Sequence, residues 1–236
     1  MATLQDVQRR LIALGYNLGK SGADGALGPL TLDAAWDALN RLKLAGAPAT
    51  PQSEAIKQPV LADSGLIPLA WLPWAVMARI IVHWTAGAHK ANATDKKSYH
   101  ILIEGDGTLI RGTPSIALND APVKPGYAAH TANLNGDSIG VSLCCMAGAK
   151  ESPFDPGKYP LTAKQWETLI KVVAQISNRY AIPVTRKTVL SHAEVQQTLG
   201  VKQKGKWDIS RLPFDPAVKG ALAVGDKLRA AVAARL

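Results

Sequence analysis

The sequence predicts an α/β or α+β layer fold behind a small helical module, on three observations. Short β-branched apolar runs alternate with a long stretch of helical period. The 236 residues exceed one minimal domain and fall short of two full-sized ones. Hydrophobic residues make up 47% and charged residues 19%, enough apolar material for a packed core.

In chain order, Leu4, Val7, Leu11 and Leu14 fall at helical spacing, and Gly15 ends that helix where a C-terminal glycine belongs. The glycines and Pro29 of GKSGADGALGPLT break regular structure, and Thr31 is the expected cap of a second helix through Leu32, Ala35, Trp36 and Leu39. Residues 1–45 thus form a helical module. Residues 46–70 mix Pro, Ala, Ser and Gly without a sustained period and read as a tether.

The main domain is expected over 71–216. ARIIVHWTAG reads as a buried strand ending in His83, and YHILIEGDGTLIRG as a hairpin turning at Asp106-Gly107. SIGVSLCCM is a further buried strand, and LTAKQWETLIKVVAQISNRY a helix capped by Thr162. The adjacent Cys144 and Cys145 close no useful disulfide loop and read as small buried residues. Residues 217–236 form a basic amphipathic helix bearing Lys219, Lys227, Arg229 and Arg235. Its charges are either solvated over a packed apolar face or free to meet an anionic surface.

A net charge of +9 and a pI near 9.6 favour a polyanionic partner: nucleic acid, an acidic membrane face or an anionic wall. Nucleic acid is not expected, because no groove-reading helix or basic face with stacking aromatics is evident and aromatics are only 6%. The opening MATLQDVQRRLIALGY lacks a basic segment followed by an apolar one, so synthesis without a signal peptide is expected.

Catalytic zinc commonly takes three His, Asp, Glu or Cys ligands and keeps a fourth position for water. His83, His192 and Asp208 could supply such a set, although Asp208 reads equally as a surface carboxylate or helix cap. Lys206, two residues earlier, is either a cation beside that site or one exposed lysine among Lys202 and Lys204. Tyr99 offers a hydroxyl to the same chemistry or packs as an ordinary strand residue, and His100 should face the other way.

Taken in order, IIVHWTAG, SYHILIEGDGTLIRG, AAHTANLNGDSIGVSL, LTAKQWETLIKVV, SHAEV and KWDIS resemble the zinc-dependent N-acetylmuramoyl-L-alanine amidases. That family includes phage amidase-type endolysins and is related to peptidoglycan recognition proteins. The resemblance implies a central mixed sheet flanked by helices and a Zn2+ cofactor held by His83, His192 and Asp208. It makes Tyr99 and Lys206 catalytic and assigns His130, Trp84 and Thr85 to substrate binding. Ser142 stands where bacterial cytosolic relatives have a glutamate, a feature of the phage-type branch. The stretch from His192 to Lys206 is longer than usual, which leaves Asp215 as a substitute third ligand.

The N-terminal VQRRLIALGYNLGKSGADGALGPLTLDAAWDAL looks like a peptidoglycan-binding module, matched at Asp24, Gly25, Gly28 and Thr31, which implies a three-helix bundle. The resemblances together imply a monomeric endolysin made in the host cytoplasm. It would act on peptidoglycan in the periplasm after membrane permeabilisation or by a dedicated export route. Separately, the basic residues of the C-terminal helix could meet an anionic outer-membrane surface. The competing expectation is a recognition protein of the same fold that binds peptidoglycan without cutting it.

Overall fold

The computed structural model describes residues 3–44 and 65–236. The chain divides into two compact units, Met1–Ser64 and Gly65–Leu236.

In the first unit, α1 (Leu4–Ala13) is capped by Thr3, whose hydroxyl accepts the Asp6 N–H while the Asp6 carboxylate accepts the Thr3 N–H. Helix α2 spans Pro29–Leu44. It starts at the proline, whose fixed φ suits a first helical position, so Thr31 lies inside the helix and does not cap it. Leu11, Leu18 and Ala34 form the small core, whereas Val7 and Leu14 are exposed. A third helix would fall outside the described residues.

The DG-x-x-G loop is fastened through Gln8, which is 1% exposed. Its amide nitrogen donates to Asp24 Oδ1 (2.9 Å), the Ala26 carbonyl (2.8 Å) and Thr31 Oγ1 (3.0 Å), and its oxygen accepts the Gly25 N–H (2.7 Å). Asp24, Gly25 and Thr31 therefore hold the loop against α1, where a buried amide needs partners for both its ends.

The second unit is built on a five-stranded sheet in the order β3-β2-β4-β1-β5, with β1 Arg79–Trp84, β2 Ile101–Ile103, β3 Leu109–Arg111, β4 Ser138–Leu143 and β5 Val189–Ser191. Neighbours are parallel except β2 and β3, the predicted hairpin. Gly107 takes φ +88° in its turn, and Thr108 N–H bonds to Asp106 Oδ1. Central strands of a parallel sheet are covered on both faces, which is why β1 and β4 read as unbroken apolar runs.

Helix α3 spans Ala93–Ser98, α4 Ala163–Arg179, α5 His192–Leu199 and α6 Ala221–Ala233. Thr162 and Gln165 cap α4 reciprocally, and the Gln165 side chain also donates to the carbonyls of Ile103 and Cys144, tying the helix to the ends of β2 and β4. Leu169, Val172, Val173 and Ile176 of α4 are fully buried in the core with Ile80, Val82, Ile101 and Ile139.

Two expectations at the edges of this unit are corrected. Gly65–Ala70 are not the end of a tether: Ile67 is fully buried, and the Gln175 amide bonds its N–H and its carbonyl at 2.8 Å each. The C-terminal segment belongs to this unit, and of its two readings the packed apolar face is the one seen. Val224, Leu228 and Val232 turn its apolar face into the core, and Arg229 is buried, donating to Glu194 (2.8 Å), Asp226 (2.7 Å) and the Val189 carbonyl (2.8 Å). Gly225 is required where α6 crosses, because a Cβ there would overlap the Glu194 carboxylate.

Arg229→Met should leave Glu194 buried without its cation and cost roughly 3 kcal/mol of unfolding free energy. Lys227→Met, at the part-exposed pair with Asp215, should cost under about 1 kcal/mol. Denaturant titration measures both, and equal losses would contradict this ranking.

Candidate metal centre

The sheet sets out the first two residues of the site. His83 is the penultimate residue of β1, in register with Ser142 of β4, and β5 runs directly into α5, whose first residue is His192. Glu194 fixes that first turn by accepting the Ser191 N–H at 2.8 Å, and it is held in turn by Arg229. Asp208 arrives on the loop after α5, tied back by a bond from the Ala193 N–H to its own carbonyl at 2.6 Å.

His83, His192 and Asp208 converge and are all buried. His83 Nδ1 lies 3.1 Å from His192 Nδ1 and 3.1 Å from Asp208 Oδ2, and His192 Nδ1 lies 3.2 Å from the same oxygen. Atoms so spaced can all sit about 2.0–2.2 Å from a single ion, the range for zinc bound by imidazole nitrogen and carboxylate oxygen. Asp215 is not in this group, since it pairs with Lys227.

Each imidazole is also held from behind. His83 Nε2 faces His130 Nδ1 (3.3 Å) and Thr131 Oγ1 (3.4 Å), and His192 Nε2 faces Gln203 Oε1 (2.9 Å). Such outer partners orient metal-binding histidines. Gln203 carries no motif, and its burial in a lysine-flanked loop cannot be read from the sequence.

Burial drives the His83 pKa down to about 4 against the opposing pull of Asp208, so the ring is neutral. Burial alone would raise Asp208, but the neighbouring His192 and His83 outweigh that and bring it to about 2. Lys206 is exposed, and its positive charge contributes to the lowering at His83. Tyr99 sets its ring 5.1 Å from that of His83, and burial, reinforced by the charge of Asp208, raises its pKa, so the hydroxyl keeps its proton.

Of the residues assigned to substrate binding, His130 and Trp84 are buried and Thr85 is half-buried. His130 is 7% exposed against His83, packed where Gly140 leaves room: a Cβ there would come within 2.6 Å of its ring. Trp84 is 6% exposed and packs edge-on against Trp207 at 4.7 Å, bracing the segment that carries Asp208. Thr85 accepts the Gly87 N–H. His100 turns away from the site into a buried bond with Asn119. Burial pushes the Cys144 thiol up to about 12, which leaves no thiolate nucleophile at that position.

This is an α/β protein with a candidate metal centre where its central strands end. The chain belongs to the N-acetylmuramoyl-L-alanine amidase family, which it matches over residues 73–209. No curated protein matches its sequence significantly. Among solved structures it is similar to the N-acetylmuramoyl-L-alanine amidase LysC from Clostridium intestinale, with 17% identity, a TM-score of 0.36 and coverage of 60% of this chain and 82% of that one. It is also similar to the Ph2119 endolysin of a Thermus scotoductus bacteriophage, with 18% identity, a TM-score of 0.38 and coverage of 53% and 77%. The amidase AmiD from E. coli gives 18%, 0.38, and 63% and 55%.

His83 and His100 both have pKa values lowered by burial to about 4, below the ordinary imidazole value. The unfolded chain therefore binds more protons between about pH 6.5 and 4, so stability of the metal-free protein should fall as pH drops through that window. Each group contributes up to about 1.4 kcal/mol per pH unit. Denaturation midpoints at pH 7 and pH 5 check this, and equal midpoints would contradict it.

Proposed function

We propose that the chain cleaves the amide bond between N-acetylmuramic acid and L-alanine in peptidoglycan as a zinc-dependent hydrolase, with His83, His192 and Asp208 holding the metal. The observation that carries this reading is the triangle of two imidazole nitrogens and one carboxylate oxygen with sides of 3.1–3.2 Å. When bound, zinc supplies a Lewis acid that polarises the scissile carbonyl and lowers the pKa of a water towards ~7.

The remaining work falls to the chain's own side chains. Tyr99, protonated beside His83, donates its hydroxyl proton in a hydrogen bond to the attacking water or to the oxygen of the tetrahedral intermediate. Lys206 brings a fixed positive charge towards the oxyanion. Ser142 fills the position beside His83 on β4, so no carboxylate acts as base from there. The retained set of His83, His192, Asp208, Lys206 and Tyr99 favours catalysis over recognition without cutting.

His83→Ala should abolish release of free N-terminal alanine from purified walls and lower bound zinc. Lys206→Ala should keep the zinc and lose about 100-fold in kcat. Undiminished release by the His83 variant would sink the assignment.

The biological setting we infer is that of a phage or prophage endolysin, with residues 1–45 as its wall-binding module. Among the described residues no helix is long and apolar enough to cross a membrane. Added to chloroform-permeabilised cells, the whole chain should clear turbidity faster than residues 65–236 alone, and cells expressing it should stay intact until permeabilised. Equal clearing would remove the module's role, and lysis without permeabilisation would remove the endolysin's.

A further inference from the structure

We propose that Gln203 is a positioning residue that sets the tautomer of His192 and so aims its Nδ1 lone pair at the metal, an inference that rests on the metal reading above. Gln203 is 4% exposed on the loop between α5 and Asp208, and its backbone N–H is fixed by Gln196 Oε1 at 2.9 Å. Its side-chain amide lies between two groups. One is the carbonyl of Ala132, 2.9 Å from Nε2, and the other is His192 Nε2, 2.9 Å from Oε1.

The orientation follows from what each neighbour can accept. A backbone carbonyl only accepts, so the amino group of Gln203 must face Ala132. The amide oxygen is then turned to His192, and it too only accepts, so His192 Nε2 must carry the hydrogen. A neutral imidazole has one N–H, which leaves Nδ1 as a lone pair 3.1 Å from His83 Nδ1 and 3.2 Å from Asp208 Oδ2.

Without that constraint the ring has a competing state. With its proton on Nδ1, His192 would donate to Asp208, and one hydrogen bond would occupy two ligand atoms at once. Gln203 thus opposes a contact that closes the site to a cation. The same amide also reaches behind the other histidine, because Ala132 follows His130 and Thr131, which face His83 Nε2 at 3.3 and 3.4 Å. One buried side chain links the outer supports of both imidazoles.

The test uses the full chain stripped of metal. Zinc affinity is measured by competition with a chelator, and the His192 tautomer by 15N NMR of the imidazole nitrogens. The untreated sequence should show His192 protonated on Nε2. Gln203→Met, which keeps the shape and loses both bonds, should bind zinc about 10–100-fold more weakly and show a mixture of tautomers. Gln203→Glu keeps an acceptor towards Nε2–H and should hold that tautomer and bind zinc more tightly than Gln203→Met.

An Nδ1–H tautomer in the unsubstituted protein would overturn the inference even if both variants failed to fold. So would unchanged zinc affinity and tautomer in Gln203→Met. Failure of the unsubstituted protein to bind zinc would instead bring down the metal reading, and this inference with it.

Discussion

Three electron-rich atoms, two ring nitrogens and one carboxylate oxygen, are brought within 3.2 Å of one another in a site with little access to water. Atoms that close either share a proton in a hydrogen bond or share a cation that their lone pairs face. Their neighbours work to keep them there. Ser142 and the flanking strands seat His83, the capped first turn of α5 seats His192, and the packing of Trp207 on Trp84 steadies the approach of Asp208.

The scaffold behind the site is shared between elements far apart in sequence. Glu194 serves both Ser191 and Arg229, so the helix at the end of the unit helps to place the turn that carries His192. A buried ion pair of this kind adds little net stability over an apolar pair, yet it fixes geometry, since moving either partner strands a charge. The first unit follows similar logic on a smaller scale, with Gln8 giving its loop the polar partners that a small apolar core lacks.

Much of this was legible in the sequence because it was periodic or local. β1, β4, the hairpin at Gly107 and the capped α4 each announce themselves within a few residues, through apolar runs, a turn dipeptide or a Thr162–Gln165 box. The candidate ligands were legible only as an ordered series of motifs, and their convergence is a property of the parallel sheet. Burial of polar residues was not legible. Gln203 and Arg229 look like surface residues in stretches rich in lysine and alanine, yet both are buried. Thr31 has a capping side chain, but Pro29 begins α2 and Gln8 claims the threonine.

The docking of α6 makes the site dependent on a remote helix. A nascent chain halted at Pro216 already contains His83, His192 and Asp208, but not Arg229, which neutralises Glu194 under the first turn of α5. The turn that carries His192 thus depends on a helix whose contacting residue lies 35 positions further along the chain. Displacing that one helix would therefore loosen a metal ligand without touching any ligand residue.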